Sequence, residues 1–219
     1  MNNPKEVEVK LRVADLAALR RRLARLGARP ALRGRVHEMN TLYDTPQGGL
    51  AKHGQLLRLR VEKPSRKAAG AGNSRAVLTY KGPAEPAASP AAPGRRYKVR
   101  DELEVGVADP QQLGAILEAL GLRGWFRYEK FRTRYQLPRL ADLVVELDET
   151  PIGVYMELEG PPAAIDRAAK LLGYGPADYI TKSYLALYLD QRRRQGVVPQ
   201  PGQGDWATGI PDMLFPQKK

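Results

Sequence analysis

The chain has 219 residues, 27% charged and 42% hydrophobic, with a net charge of +12 and no cysteine. This is globular composition on a chain long enough to bury a sizeable core, and the missing cysteines exclude a disulfide framework and a thiolate metal site. No apolar run approaches the roughly 18–20 residues of a membrane span and Met1 to Lys10 holds no signal-peptide apolar region, so a cytoplasmic protein without a membrane partner is expected.

In chain order, Lys5 to Val13 reads as a strand and Asp15 as the cap of a helix reaching about Ala28, with Leu16, Leu19, Leu23 and Leu26 on one face. Arg33 to Asp44 reads as a strand, Thr45 to Gly49 as a turn, and Gln55 to Glu62 as a cleanly alternating strand. A Gly/Ala/Ser loop follows over 64–74, then a short strand from Arg75 to Lys81, then a Pro/Ala-rich loop over 82–94. Tyr97 to Val107 is a strand, Pro110 to Gly121 a helix, and Trp125 to Leu137 a long strand. Leu143 to Glu149 and Val154 to Glu159 form a hairpin turned near Thr150 to Gly153. Helices are expected from about Ala163 to Leu172 and from about Tyr179 to Arg194. Two regions result: a folded domain over 1–195 and a Pro/Gly-rich flexible tail over 196–219.

The sequence echoes itself. Glu6-Val7-Glu8-Val9 leads to Val13-Ala14-Asp15, a helix and Leu26-Gly27, while Glu102-Leu103-Glu104-Val105 leads to Val107-Ala108-Asp109, a helix and Leu120-Gly121. Glu157-Leu158-Glu159 also leads to a helix, ending at Leu172-Gly173. The first two units read as pseudo-symmetric halves of one domain.

Successive strand side chains point to opposite faces. Glu6, Glu8 and Lys10 therefore share one face, opposite Val7, Val9 and Leu11. The same split recurs with Arg58 and Arg60, with Lys81, with Arg100, Glu102 and Glu104, with Lys130, Arg132 and Arg134, with Glu146 and Asp148, and with Glu157 and Glu159. One such strand is most simply a wet surface face, and an ordinary sandwich with its charges outside accounts for all of them. The amphipathic helices, however, also need apolar surface to cover. Helices packed on apolar outer faces would leave the charged faces lining a channel, where charges persist only if paired or coordinated.

Arg and Lys converging on one groove suit phosphate oxygens. Carboxylates in that groove would repel phosphate unless a hard divalent cation such as Mg2+ or Mn2+ lies between them. No P-loop run is present. The remaining basic residues, among them Arg20, Arg21, Arg22, Arg192, Arg193 and Arg194, accompany no finger, helix-turn-helix or aromatic platform, so no specific nucleic acid is expected. They read as a solvated surface that draws in small polyanions. His37 and His53 are isolated and read as structural rather than metal-ligating.

Glu6-x-Glu8-x-Lys10 resembles the ExExK signature of the CYTH superfamily, the triphosphate tunnel metalloenzymes. The resemblance continues in order through Asn40-Thr-Leu-Tyr-Asp44-Thr-Pro, Leu57-Arg58-Leu-Arg60, Leu78-Thr-Tyr-Lys81-Gly-Pro, Glu102-x-Glu104, Glu129-Lys130-Phe-Arg132, Asp148-x-x-Pro-x-Gly153-x-Tyr-x-Glu157-x-Glu159 and Lys182-Ser-Tyr184. It implies an α+β fold, an eight-stranded antiparallel tunnel or barrel with helices packed outside. It implies Glu6, Glu8, Glu157 and Glu159 as metal ligands and Lys10, Arg58, Arg60, Lys81, Lys130 and Arg132 as phosphate contacts. Glu102, Glu104 and Asp148 match further acidic positions of the tunnel.

The implied function is a metal-dependent reaction on a nucleotide or other triphosphate. The NTLYDTP, LRLR and TYKGP stretches look most like the class IV adenylyl cyclases, which convert ATP to cyclic AMP and pyrophosphate. Hydrolysis of inorganic or thiamine triphosphate is the alternative, and a non-catalytic polyphosphate-binding module the third reading. No single general base stands out; Asp148 and Lys10 are the catalytic candidates, and Lys10 would need a lowered pKa. A homodimer is compatible with all of these readings.

Overall fold

The structure, a computed structural model, describes residues 5–65, 74–85, 96–196 and 211–216. Most of the two low-complexity loops (66–73 and 86–95) and most of the expected tail (197–210 and 217–219) lie outside the described residues. In order come β1 (Lys5–Arg12), α1 (Leu16–Arg25), β2 (Arg29–Asp44), α2 (Gly49–Lys52), β3 (Leu56–Pro64), β4 (Arg75–Lys81), β5 (Lys98–Val107), α3 (Pro110–Ala119), β6 (Arg123–Gln136), β7 (Val144–Thr150), β8 (Gly153–Glu159), α4 (Pro162–Leu171) and α5 (Tyr184–Arg194).

The eight strands close into a barrel in the order β1-β5-β4-β3-β2-β6-β7-β8. Every neighbouring pair is antiparallel. Closure removes the free edges, and strict alternation then sends one set of side chains inward and the other outward. The expected eight-stranded antiparallel tunnel with outer helices is the observed fold.

The outward set is apolar and the helices cover it. Val9, Leu11, Val145, Leu147, Met156 and Leu158 pack against Leu19 and Leu23 of α1 and against Ile165 and Ala168 of α4. Leu117 of α3 packs with Tyr43 and Leu59 on the opposite wall. The hydrophobic core therefore surrounds the barrel, and the barrel's own interior is left to charge.

The sequence echo has a structural counterpart. β1 and β5 pair directly, with Glu6 opposite Arg100. Asp15 caps α1 by accepting from the Ala18 N–H at 2.9 Å, and Asp109 caps α3 by accepting from Gln111 and Gln112 at 3.0 and 2.9 Å. Gly27, Gly121 and Gly173 follow the ends of α1, α3 and α4 at φ +72°, +84° and +83°, left-handed backbone that a side chain would strain.

Four expectations are corrected. The last helix begins at Tyr184 rather than Tyr179, because Ile180 exchanges two 2.9 Å backbone hydrogen bonds with Lys10 and Ser183 caps α5 through the Ala186 N–H. The turn after Asp44 contains α2, wound by the Asp44 carboxylate, which accepts from the N–H groups of Thr45, Leu50 and Ala51 at 2.7–2.9 Å. β2 starts at Arg29 rather than Arg33, across a register irregularity between Pro30 and Arg35. Within the region expected as a tail, residues 211–216 are docked on β6. Met213 bridges Tyr128 and is 1% exposed, and Asp212 accepts from the Arg127 N–H at 2.7 Å. No helix among the described residues is long and apolar enough to cross a membrane.

Candidate functional site

Alternation on closed strands brings the expected residues together. Glu6, Glu8, Lys10, Arg58, Arg60, Lys81, Glu102, Glu104, Lys130, Arg132, Glu157 and Glu159 all line one cavity inside the barrel. Asp148, the remaining expected residue, is fully buried in the wall and bonded to two of those that line it. Arg134 and Glu146, on the same faces of β6 and β7, also line the cavity.

Charge at this density survives burial only through pairing. On the β1–β5 side, Lys81 Nζ donates to both oxygens of Glu6 at 2.7 and 2.6 Å and lies 3.2 Å from Glu102. Glu8 accepts from Lys98 at 2.7 Å and from Lys10 at 3.2 Å, and Lys10 is 3.1 Å from Glu157. On the β6–β7 side, Asp148 accepts from Lys130 at 2.8 Å, from Arg132 at 2.7 and 2.6 Å, and from the Tyr184 hydroxyl at 2.7 Å. Arg132 also pairs closely with Glu146 and Glu157. Arg60 reaches Glu104 at 3.2 Å and Glu62 at 3.3 Å. Arg58 has weaker company: Thr79 at 3.2 Å, the Tyr128 hydroxyl at 3.5 Å and Glu104 at 3.8 Å.

These pairings set the protonation states. Burial alone would lower Lys10, but Glu157 and Glu8 outweigh it and hold the ammonium above its ordinary range. A general-base role for Lys10 would need the opposite shift. The tunnel lysine that is pulled down is Lys98, to about 8, by burial and by Lys10 beside it. Burial opposes the charged form of Glu157 too, yet Lys10, Lys130 and Arg132 keep its carboxyl well below the usual range.

Glu159 behaves differently. Burial, with Glu6, Glu146 and Glu102 crowding it, pushes its carboxyl up to about 7. Among the described residues it has no ion-pair partner, although its expected co-ligands do. No group of three or more His, Asp or Glu among the described residues forms a ready-made metal cluster. Several carboxylates around one unneutralised carboxyl are nonetheless a donor set that fits a hard, oxygen-loving divalent cation.

One end of the cavity is closed. Tyr184 and Tyr188 of α5 pack there with Leu42, Phe126, Tyr128, Tyr155 and Met213. The two histidines lie elsewhere: His37 Nε2 donates to Glu129 at 2.7 Å and its ring stacks on Phe131, while His53 bonds the Gly49 carbonyl.

A family model described as the CYTH domain matches residues 4–184. The chain belongs to the CYTH family. No curated protein matches it. Among solved structures, this CYTH chain is similar to a proposed adenylate cyclase of Vibrio parahaemolyticus, at 19% identity and a TM-score of 0.68 over 85% of this chain and 99% of that one. A protein of Pyrococcus horikoshii OT3 aligns at 23% identity and a TM-score of 0.65, over 85% and 99% of the two chains. A Hippeastrum protein, described as a proposed adenylyl cyclase with a dominant triphosphatase activity, aligns at 21% identity and a TM-score of 0.55, over 87% and 96%. At these identities the likeness is one of fold.

Sequence reasoning missed four groups of the CYTH tunnel. Lys98 shares the parity of Arg100, so extending that face by one step finds it. Glu62 lies on the face of Arg58 and Arg60 but was not counted among the site residues. Tyr128 continues the face of Lys130 toward the closed end. Glu38 had the weakest signal: it is the one acid of β2 that lines either cavity, between Val36 and Asn40.

Proposed function

We propose that the chain is a divalent-metal-dependent enzyme acting on a triphosphate inside the tunnel. The observation that carries this reading is the convergence of Lys10, Arg58, Arg60, Lys81, Lys130 and Arg132 on one cavity that also holds the Glu159 carboxyl, which has no ion-pair partner among the described residues. Six cations exceed what a neutral ligand needs, and their fork and point charges suit phosphoryl oxygens.

The chain's own residues divide the work. Arg58, Arg60, Arg132, Lys130, Lys81 and Lys10 bind and orient the phosphates. Asp148 holds Lys130 and Arg132 in position rather than moving a proton, since it already accepts from three donors. The α5 plug excludes water from one end. Glu6, Glu8, Glu157 and Glu159 would hold Mg2+ or Mn2+. When bound, the cation supplies charge stabilisation at the attacking and leaving oxygens.

The first reading of the reaction is ATP to cyclic AMP plus pyrophosphate. It is supported by a second cavity of about 540 Å³, lined partly by Pro30, Ala31 and Val36, which adjoins the phosphate site and has room for a nucleoside. The second reading is triphosphate hydrolysis, favoured by the dominant triphosphatase activity of the Hippeastrum protein. Product analysis decides between them. The protein is incubated with ATP, thiamine triphosphate and tripolyphosphate, with Mg2+ and then with Mn2+. Cyclic AMP supports the first reading and orthophosphate the second. Turnover that persists in Glu8→Ala and Arg60→Ala overturns the tunnel site.

A further inference from the structure

The tunnel interior holds two connected chambers. The central one, of about 280 Å³, contains the phosphate-gripping residues. The mouth chamber, of about 540 Å³, opens beside Arg29, Pro30 and Gln136. Arg60, Glu104, Arg132 and Arg134 line both. A phosphate chain lying along the central chamber is limited at one end by the α5 plug, where Tyr184, Tyr188 and the adjoining Phe126 of β6 offer no cation. Toward the mouth there is room to spare, so size does not set how far the chain extends. Charge does.

Glu38 stands at the junction. It lines the mouth chamber, and its neighbours Arg60 and Arg132 belong to both chambers. It is 1% exposed, with one oxygen 3.8 Å from Arg60 and 3.6 Å from Arg132. Its other oxygen, Oε2, has no hydrogen-bond partner, and Lys130 Nζ is 3.5 Å away. Burial opposes its charge, but Lys130, Arg132 and Arg60 hold its carboxyl down at about 2. It is thus a permanent acceptor with nothing to donate to a phosphate. Glu62 faces it across the β2–β3 register and lines the same chamber. Of the arginines that line this chamber, Arg60 and Arg132 are already shared with Glu38. Arg134 is engaged by Glu146 at 2.9 and 2.6 Å, and Arg29 and Arg75 are exposed at the rim, where salt screens them.

We propose that Glu38 is a specificity-determining residue, a fixed anion that stops the bound phosphate chain at three phosphates and reserves the mouth chamber for a group that is uncharged or donates hydrogen bonds. A fourth phosphate passing Arg60 and Arg132 meets a buried carboxylate that already shares those two cations, and it must compete with that charge for them. A hydroxyl or amine on an organic substituent in the same place satisfies the free Oε2. This inference rests on the triphosphate reading of the tunnel.

The test is calorimetric titration of the wild-type chain with pyrophosphate, tripolyphosphate and tetrapolyphosphate, in cold Mg2+ buffer and again with chelator. Wild type binds tripolyphosphate about tenfold or more tighter than tetrapolyphosphate, against the trend that charge alone would give. Glu38→Gln shrinks that preference by about tenfold, chiefly by gaining affinity for the longer chain. Glu38→Asp keeps the charge and keeps the preference. Equal or tighter binding of tetrapolyphosphate by wild type overturns the proposal, and so does an equal change for both chains in Glu38→Gln. Tripolyphosphate binding to wild type in neither buffer overturns instead the reading of the tunnel as a triphosphate site.

Discussion

The Tyr184 hydroxyl donates to Asp148 Oδ2 at 2.7 Å, and through that bond helix α5 is fastened to the floor of the charged barrel. Asp148 is fully buried and also takes Lys130 and Arg132, so one carboxylate joins β6, β7 and the plug. The two ends of this bond are unequal. Tyr184→Phe removes one donor from a carboxylate that keeps two cations, a cost of about 1–2 kcal/mol. Asp148→Ala strands Lys130 and Arg132 without their main counter-ion, a cost of about 3–5 kcal/mol. Urea denaturation of both variants tests that order; equal losses would mean that Asp148 does not organise the cations. Asp148→Asn, if folded, raises KM for the triphosphate more than it lowers kcat, because a positioning group is lost and not a base.

Arg58 separates binding from folding. Most tunnel cations cannot be removed without orphaning a carboxylate, but Arg58 has Thr79 and Tyr128 as its near partners and Glu104 only at 3.8 Å. Arg58→Met fills much of the same volume and leaves no close ion pair broken. Tripolyphosphate affinity falls about 10–100-fold, the range for losing a charge-assisted contact, while the thermal midpoint moves by only a few degrees. Arg132→Met provides the contrast. Asp148, Glu146, Glu157 and Glu38 all lean on that guanidinium, so its loss lowers stability and affinity together.

The barrel and most of its lining were legible in the sequence because both obey one period. Glu6, Glu8 and Lys10 against Val7, Val9 and Leu11 fixes which face is charged, and the leucines of α1 say what covers the other. What escaped was whatever that period does not carry. Glu38 has no charged residue two positions away on β2 to announce it, and the irregularity between Pro30 and Arg35 disturbs the strand before it. The start of α5 was misplaced because Tyr179 and Ile180 look helical in composition, and only their pairing with Lys10, distant in sequence, holds them extended. Residues 211–216 sit in a Pro- and Gly-rich stretch whose one buried side chain among the described residues, Met213, has no periodic partner.

That anchor has a measurable worth. Met213 is almost wholly buried among Phe126, Tyr128 and Tyr188, and its backbone exchanges hydrogen bonds with Arg127 and Glu129 at 2.9 and 3.1 Å. Met213→Ala leaves a cavity against the plug and costs about 2–4 kcal/mol. Leu214 beside it is exposed, so Leu214→Ala costs less than about 0.5 kcal/mol. Comparable losses from the two substitutions would show that the segment does not dock as described.

Glu159 links stability, pH and metal. Its folded carboxyl lies near 7, raised from 4.5 by burial and by Glu6, Glu146 and Glu102. A raised carboxyl contributes fully below the unfolded value and loses that contribution as pH climbs through the folded one. The metal-free protein therefore loses stability between about pH 4.5 and 7 on account of this group, and the loss persists at pH 8. Glu159→Gln mimics the protonated form and escapes it. With chelator at pH 8 the variant is more stable than wild type by about 1–2 kcal/mol after allowing for partial solvent exposure, a thermal shift of roughly 2–8 °C. Below pH 4.5 the two converge. Mg2+ reverses the order at pH 8, since an ionised Glu159 is an oxygen donor for the cation and its amide a weaker one, and a ligand that binds only the folded state stabilises it by mass action. A Glu159→Gln advantage that is independent of pH, or that Mg2+ leaves intact, would remove Glu159 from the metal site.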